Sequence, residues 1–183
     1  MESADEELML AYAAGDGAAF EALYSRHKGP VYRFVRRSVK DTSHADELFQ
    51  DVWMRVIESR VRYSAQARFT TWLYTIAHNR IVDHWRAKGL AMVSLDDEAS
   101  GVAEPDSGPA ANPQRVAEGR ESLGRFAAAL AALPLAQREA FLMHQEAGFT
   151  PAEIALATGT NLDAAKSRLR YAMNKLREAV GDD

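Results

Sequence analysis

The sequence predicts an all-α protein: two small helical domains joined by a flexible acidic linker. Three observations carry this. Apolar residues recur at spacings of three and four along most of the 183-residue chain, and no stretch alternates for long at period two. An acidic, proline-bearing segment interrupts that pattern between about residues 89 and 114. A capped pair of helices separated by a single glycine stands near the C-terminus.

The first domain spans residues 1–88. Leu8, Ala11 and Tyr12, then Phe20, Leu23 and Tyr24, give two helical runs broken by Gly15-Asp16-Gly17. Val31, Phe34 and Val35 open another run after Gly29-Pro30, where proline suits a first helical turn. Asp41-Thr42-Ser43 supplies N-capping oxygens for the next helix. Its rows Leu48, Val52, Val56 and Phe49, Trp53, Ile57 make a broad apolar face. A last helix runs from about Thr70 to Ala87.

Residues 89–114 form the linker. It holds three of the six prolines and few large apolar side chains after Leu95, too little to offset the entropy of ordering it. Residues 89–119 carry one Lys or Arg against six Asp and Glu, which accounts for the net charge of −4. The blocks on either side are close to neutral, so local basic patches can act there. Fully extended, the linker reaches roughly 90 Å, and as a coil it averages about 30 Å.

The second domain spans 115–183. Phe126, Leu130 and Leu133 mark a helix stopped by Pro134, and Gln137 to His144 marks another. Thr150-Pro151-Ala152-Glu153 is a capping box with proline at the first helical position. The short helix it starts buries Ile154, Ala155 and Ala157 or Thr158, and ends at Gly159. Thr160 or Asn161 caps the next helix, Leu162 to about Glu178, whose apolar positions are Leu162, Ala165, Leu169, Met173 and Leu176. Lys166, Arg168, Arg170, Lys175 and Arg177 make that helix basic. A tight two-helix turn with a basic second helix is what reading a major groove requires.

Candidate chemistry concentrates on nucleic acid. Residues 69–88 interleave Trp72, Tyr74 and Trp85 with Asn79, Arg80, Arg86 and Lys88, a mixture suited to stacking and charge-pairing with unpaired strands. Trp72 and Leu73 also suit a core. His78 and His84 lie about 240° apart around a helix, so they do not converge on a metal. Asp46, Glu47 and Asp51 fall on the solvent side of their helix and read as surface acids. No glycine-rich phosphate loop or serine elbow is present. With no cysteine there is no thiolate catalysis and no cysteine-held metal. The expectation is a non-enzyme without cofactor or metal. An acidic N-terminus and the lack of any long apolar run lead to an expected cytoplasmic location.

Four segments taken together resemble the extracytoplasmic-function class of bacterial sigma factors, in the sigma-70 family: GDGAAFEALYSRHKGPVYRFV (15–35), ADELFQDVWMRVI (45–57), FTTWLYTIAHNRIVDHWR (69–86) and EAGFTPAEIALATGTNLDAAKSRLRYAMNKLR (146–177). They occur in the family's order across the acidic linker. The resemblance implies a region 2-like domain, a linker and a region 4-like helix-turn-helix domain. It implies that Asp46, Leu48, Gln50, Asp51 and Trp53 contact core RNA polymerase. It implies that Arg68, Trp72, Thr75, Asn79 and Arg80 open and read the −10 element. It implies that Lys166, Ser167, Arg170 and Tyr171 face the −35 element. Promoter DNA, core polymerase and an anti-sigma factor are the implied partners. The chain departs from the family at Trp53, where Phe is usual, at His78, where Arg or Val is common, and in Asn161-Leu162-Asp163-Ala164-Ala165, which leads into the recognition helix. The rival function is a stand-alone helix-turn-helix regulator, for which a palindromic site and binding without polymerase are expected.

Overall fold

The computed structural model describes the backbone of residues 3–39, 41–89 and 113–181, and side chains of the last segment from residue 120. The expected linker lies outside the described residues except at Gly89, Pro113 and Gln114. Gly89 closes a turn at φ 66°, while Pro113 and Gln114 already belong to a helix, two residues earlier than the sequence pattern suggests.

Among the described residues there are eight α-helices, one short 3-10 turn and no strand. Helix α1 (Asp5–Ala13) and α2 (Gly17–Ser38) are separated by the predicted break, and Asp16 caps α2 by accepting from the amides of Ala18 and Ala19 at 2.9 and 3.4 Å. Contrary to the sequence reading, Pro30 does not begin a helix; α2 runs through it. The proline removes only the N–H that would meet the Arg26 carbonyl. The apolar stripe keeps its phase across it, with Leu23, Val31, Phe34 and Val35 all buried, so packing outweighs one lost hydrogen bond.

Helix α3 (Thr42–Ser59) starts at Asp41, whose carboxylate accepts from the Ser43 amide at 3.0 Å and its hydroxyl at 2.8 Å. After the 3-10 turn (Arg60–Arg62), α4 (Phe69–Ala87) begins without a local side-chain cap. Its first amide is met from a distance: Phe69 N–H donates to the Glu6 carboxylate of α1 at 2.7 Å. Ala45, Val52, Val56, Phe69, Leu73, Tyr74, Ala77 and Ile81 fill the core between α2, α3 and α4.

The second domain packs α5 (Pro113–Ala132), α6 (Leu135–Ala147) and α7 (Pro151–Thr158) around α8 (Leu162–Val180). The capping box at Thr150 and Glu153 is formed, Gly148 and Gly159 take the left-handed conformation that ends α6 and α7, and Asn161 caps α8 through the Ala164 amide at 2.8 Å. Ile154, Ala155 and Ala157 are buried as predicted, as are Ala165, Leu169 and Leu176; Leu162 and Met173 are exposed, and Ala172 takes the inward place. The two domains touch. Helix α2 meets α6, α4 meets α7, and one apolar cluster continues across the seam through Tyr74 and Phe149, whose rings lie 5.2 Å apart.

Candidate nucleic-acid interface

The helix-turn-helix is built by small residues. Ala155 and Ala165 are buried where α7 and α8 pack, and side chains this short let the two backbones approach closely. That packing leaves the opposite side of α8 to solvent. Lys166, Arg170 and Tyr171 are exposed there, and Ser167 is half-buried beside them. The Arg170 guanidinium lies 5.5 Å from the Tyr171 ring centroid, which holds both side chains on the same outward face. All four predicted residues of this helix therefore share one accessible region.

Helix α4 presents a more mixed surface. Asn79 is exposed in mid-helix, and Arg80 is paired with Asp83 one turn on. Thr75 is half-buried and its hydroxyl donates back to the Thr71 carbonyl at 2.8 Å. Trp72 is nested against Tyr63 and Phe69, with centroids at 5.1 and 6.0 Å, so its ring is held by neighbours rather than free to stack fully on a base. Arg68 is exposed but engaged, donating to the Glu153 carboxylate at 2.8 Å. A cleft of about 470 Å³ opens between α4 and α7, lined by His78, Asn79, Arg80, Asp83, Arg86 and Thr158 among others.

On α3 the expected set divides. Asp46, Gln50 and Asp51 are exposed along one side. Leu48 and Trp53, which the resemblance also assigns to the polymerase contact, are only 7% and 5% exposed and pack into the core of the first domain. Their phase on the helix turns them toward α2, where Trp53 packs edge-on against Tyr24 at 4.9 Å. Asp46 accepts from the Tyr32 hydroxyl at 3.0 Å, and that bond, with a smaller effect of burial, raises the Tyr32 pKa.

Electrostatics at the seam were not legible in the sequence. Glu139, at 1% exposure, has both carboxylate oxygens 3.0 Å from His78 Nδ1. Arg138, at 4% exposure, donates to the Ala131 and Leu133 carbonyls at 2.8 Å and to Ser38 at 3.4 Å; burial pulls its pKa down. Glu153 has a lowered pKa, chiefly because the Thr150 amide donates to it, with Arg68 adding to the effect. Among the described residues no cluster of His, Asp and Glu has the arrangement of a metal site.

Comparison with known proteins settles the family. The sigma-70 region 2 family matches residues 23–90, and the sigma-70 region 4 family matches residues 123–176. The RNA polymerase sigma factor CarQ of Myxococcus xanthus is 35% identical over 174 residues, covering 91% of this chain and 93% of its own. The chain belongs to the extracytoplasmic-function branch of the sigma-70 family. The ECF sigma factor SigK of Mycobacterium tuberculosis is 29% identical over 180 residues, covering 97% of this chain and 95% of its own. Among solved structures, CnrH in complex with the cytosolic domain of CnrY gives a TM-score of 0.68 at 23% identity over 95% of both chains. RpoE of Bartonella quintana, in complex with the anti-sigma factor NepR, gives 0.66 at 23% identity over 87% of this chain and 95% of its own. These two show the same fold. The region boundaries place α4 in region 2 and α7–α8 in region 4 of this sigma factor.

Proposed function

We propose that this sigma factor binds core RNA polymerase and directs it to promoters by reading two separated elements. The outward cluster of Lys166, Ser167, Arg170 and Tyr171 on α8 carries the reading of the −35 duplex. Helix α4 supplies the −10 contacts: Asn79 for base edges, Arg68 and Arg80 for phosphate or base faces, with Trp72 and Thr75 shaping the surface between them. Asp46, Gln50 and Asp51 form the polymerase-facing side of α3, while Leu48 and Trp53 hold that helix in place. The protein acts as a specificity factor and not as an enzyme, and it works in the cytoplasm where promoters are. No described helix is long and apolar enough to cross a membrane. An anti-sigma factor is the expected partner in the inactive state, as for the relatives solved with CnrY and NepR.

Each reading surface is small, and the chain as a whole is negative. Alone it binds duplex DNA weakly, on the order of 10⁻⁴ M at physiological salt. Opening −10 bases costs a few kcal/mol each. Core polymerase provides what is missing by fixing the spacing of the two domains, which raises their effective concentration on one promoter. A salt-matched titration of labelled promoter, with and without core polymerase, tests this. Tight binding only with core, improved by a pre-melted −10 bubble, supports it. Nanomolar sequence-specific binding by the free protein overturns it in favour of a stand-alone regulator.

A further inference from the structure

Helix α1 precedes the stretch matched to sigma-70 region 2, residues 23–90, yet it fastens two helices of that domain. Two adjacent acids in its first turn meet different neighbours. Asp5 accepts from Arg26 Nη1 of α2 at 2.8 Å and lies 2.7 Å from His27 Nε2. Arg26 also donates to the Ser3 carbonyl at 2.9 Å, so the start of α1 is held on α2. Glu6 accepts from the Phe69 amide, the first N–H of α4, at 2.7 Å. Further along α1, the Tyr12 ring centroid lies 5.7 Å from the guanidinium of Arg60, the residue that opens the 3-10 turn. The connection from α3 to α4 is therefore tied to α1 at both ends, at Arg60 and at Phe69.

Between those ties runs the loop 63–68, which ends in Arg68. Inside it the Gln66 amide donates to the Ser64 carbonyl at 2.8 Å, a bond too local to set where Arg68 stands. The first intrahelical bond of α4 joins the Trp72 amide to the Arg68 carbonyl at 3.2 Å. Arg68 and Trp72 thus stand at the two ends of the turn that Glu6 caps. Tyr63 packs against Trp72 and Phe69 with centroids at 5.1 and 6.3 Å, so the ring of Trp72 depends on the same turn. The Tyr63 hydroxyl is buried with no hydrogen-bond partner among the described residues. Burial, and then the nearby charges of Glu6 and Asp5, push its pKa up.

We infer that Glu6 is a positioning residue for −10 reading: from α1 it fixes the first turn of α4, so that Arg68 and Trp72 meet the opened strand as one surface. The inference rests on the proposed −10 role of Arg68 and Trp72. A carboxylate has the wrong charge to attract a phosphate strand. Its place beside this surface is explained by the Phe69 amide and by the positive end of the helix dipole, which it satisfies. Losing that bond frees the amide, lets the Arg68–Trp72 turn fray and gives the two side chains separate motions. Strand binding must then order them again. That cost falls on the strand they read and leaves general phosphate attraction untouched. The defect should appear as lost discrimination.

The test uses holoenzyme assembled from core polymerase and the full chain. Two labelled single strands are compared: the non-template strand of a promoter of the native host, and the same strand with its −10 element scrambled. The ratio of their affinities is the readout. Glu6→Ala should cut that ratio roughly tenfold by weakening the native strand alone, the scale of a lost helix cap. Glu6→Gln, which keeps an acceptor oxygen for the Phe69 amide, should recover part of it. Asp16→Ala controls for stability. It removes the carboxylate that caps α2 through the Ala18 and Ala19 amides, a loss of the same kind in the same domain, and should leave the ratio at the parent value. Helical circular dichroism at the assay temperature checks that each variant is folded, and Glu6→Gln decides the matter if Glu6→Ala is not. A ratio unchanged in the Glu6 variants, or lowered equally in Asp16→Ala, overturns the inference and leaves the −10 assignment standing. A parent holoenzyme with no preference for the native strand overturns that assignment, and the inference with it.

Discussion

Replacing Glu6 with alanine should loosen the start of α4 from 63 residues away. Helix α4 has no local cap: Arg68 sits at the N-cap position and bonds no amide of the first turn. The Phe69 amide relies on the Glu6 carboxylate at 2.7 Å, a short, charge-assisted bond on the positive end of the helix dipole. Loss of an N-cap costs roughly 0.5–2 kcal/mol, and a hydrogen bond to a charged group is worth about 1.5–3 kcal/mol when buried. The site is half-buried, so Glu6→Ala should cost about 1–2 kcal/mol. Glu6→Gln keeps an acceptor oxygen without the charge and should lose about half of that. Urea unfolding followed by far-ultraviolet circular dichroism measures both. The midpoint should fall in the order parent, Gln, Ala with little change in slope. Hydrogen exchange should quicken most at Phe69 to Trp72. A Glu6→Ala midpoint equal to the parent's would refute the claim that this distant carboxylate caps α4.

Lys166→Ala and Arg170→Ala should each leave the melting curve within about 0.5 kcal/mol of the parent, since both side chains are exposed. A lost bidentate base contact should weaken −35 binding by about 1–3 kcal/mol, and a lost phosphate contact should lower the salt slope by about one. Asp46→Ala with Gln50→Ala should cut core-polymerase binding in a pull-down and preserve helical dichroism; loss of that dichroism would make the pair structural. His84 has a lowered pKa, first from burial and then from Lys88 and His44 nearby, against the opposing pull of Asp41 and Glu47. The unfolded chain therefore takes up a proton more readily than the folded one. Stability from this group is full above the ordinary value of 6.5 and is lost as pH falls through the folded value. Unfolding midpoints measured from pH 7.5 downward should show His84→Asn losing less stability than the parent below about pH 6.5.

Local signals in the sequence carried most of the fold. Asp41, Thr150 and Asn161 place their oxygens on amides two or three residues away, and Gly159 ends α7 by its own backbone preference, so these boundaries were readable without any distant partner. Pro30 misled because proline suits both the first turn of a helix and, when packing is strong on either side, its interior. The cap on α4 was invisible because Glu6 reaches Phe69 only after α1 has folded back onto the domain. The exposed face of α8 followed from helical phase and survived intact. Leu48 and Trp53 are buried where their own apolar phase on α3 places them. The pairing of Glu139, Glu146 and Glu153 with α2 and α4 lay beyond sequence reasoning, since each partner is more than 60 residues away and surface glutamates on helices are ordinary.

Run-off transcription with purified core RNA polymerase tests the central claim most directly. The template carries a promoter of the native host with its −10 and −35 elements. The account predicts a discrete transcript only when both core and this protein are present, loss of that transcript with Lys166→Ala and Arg170→Ala combined, and loss with Asn79→Ala. Transcription by core that is indifferent to the protein, or a transcript that survives these substitutions unchanged, would contradict it.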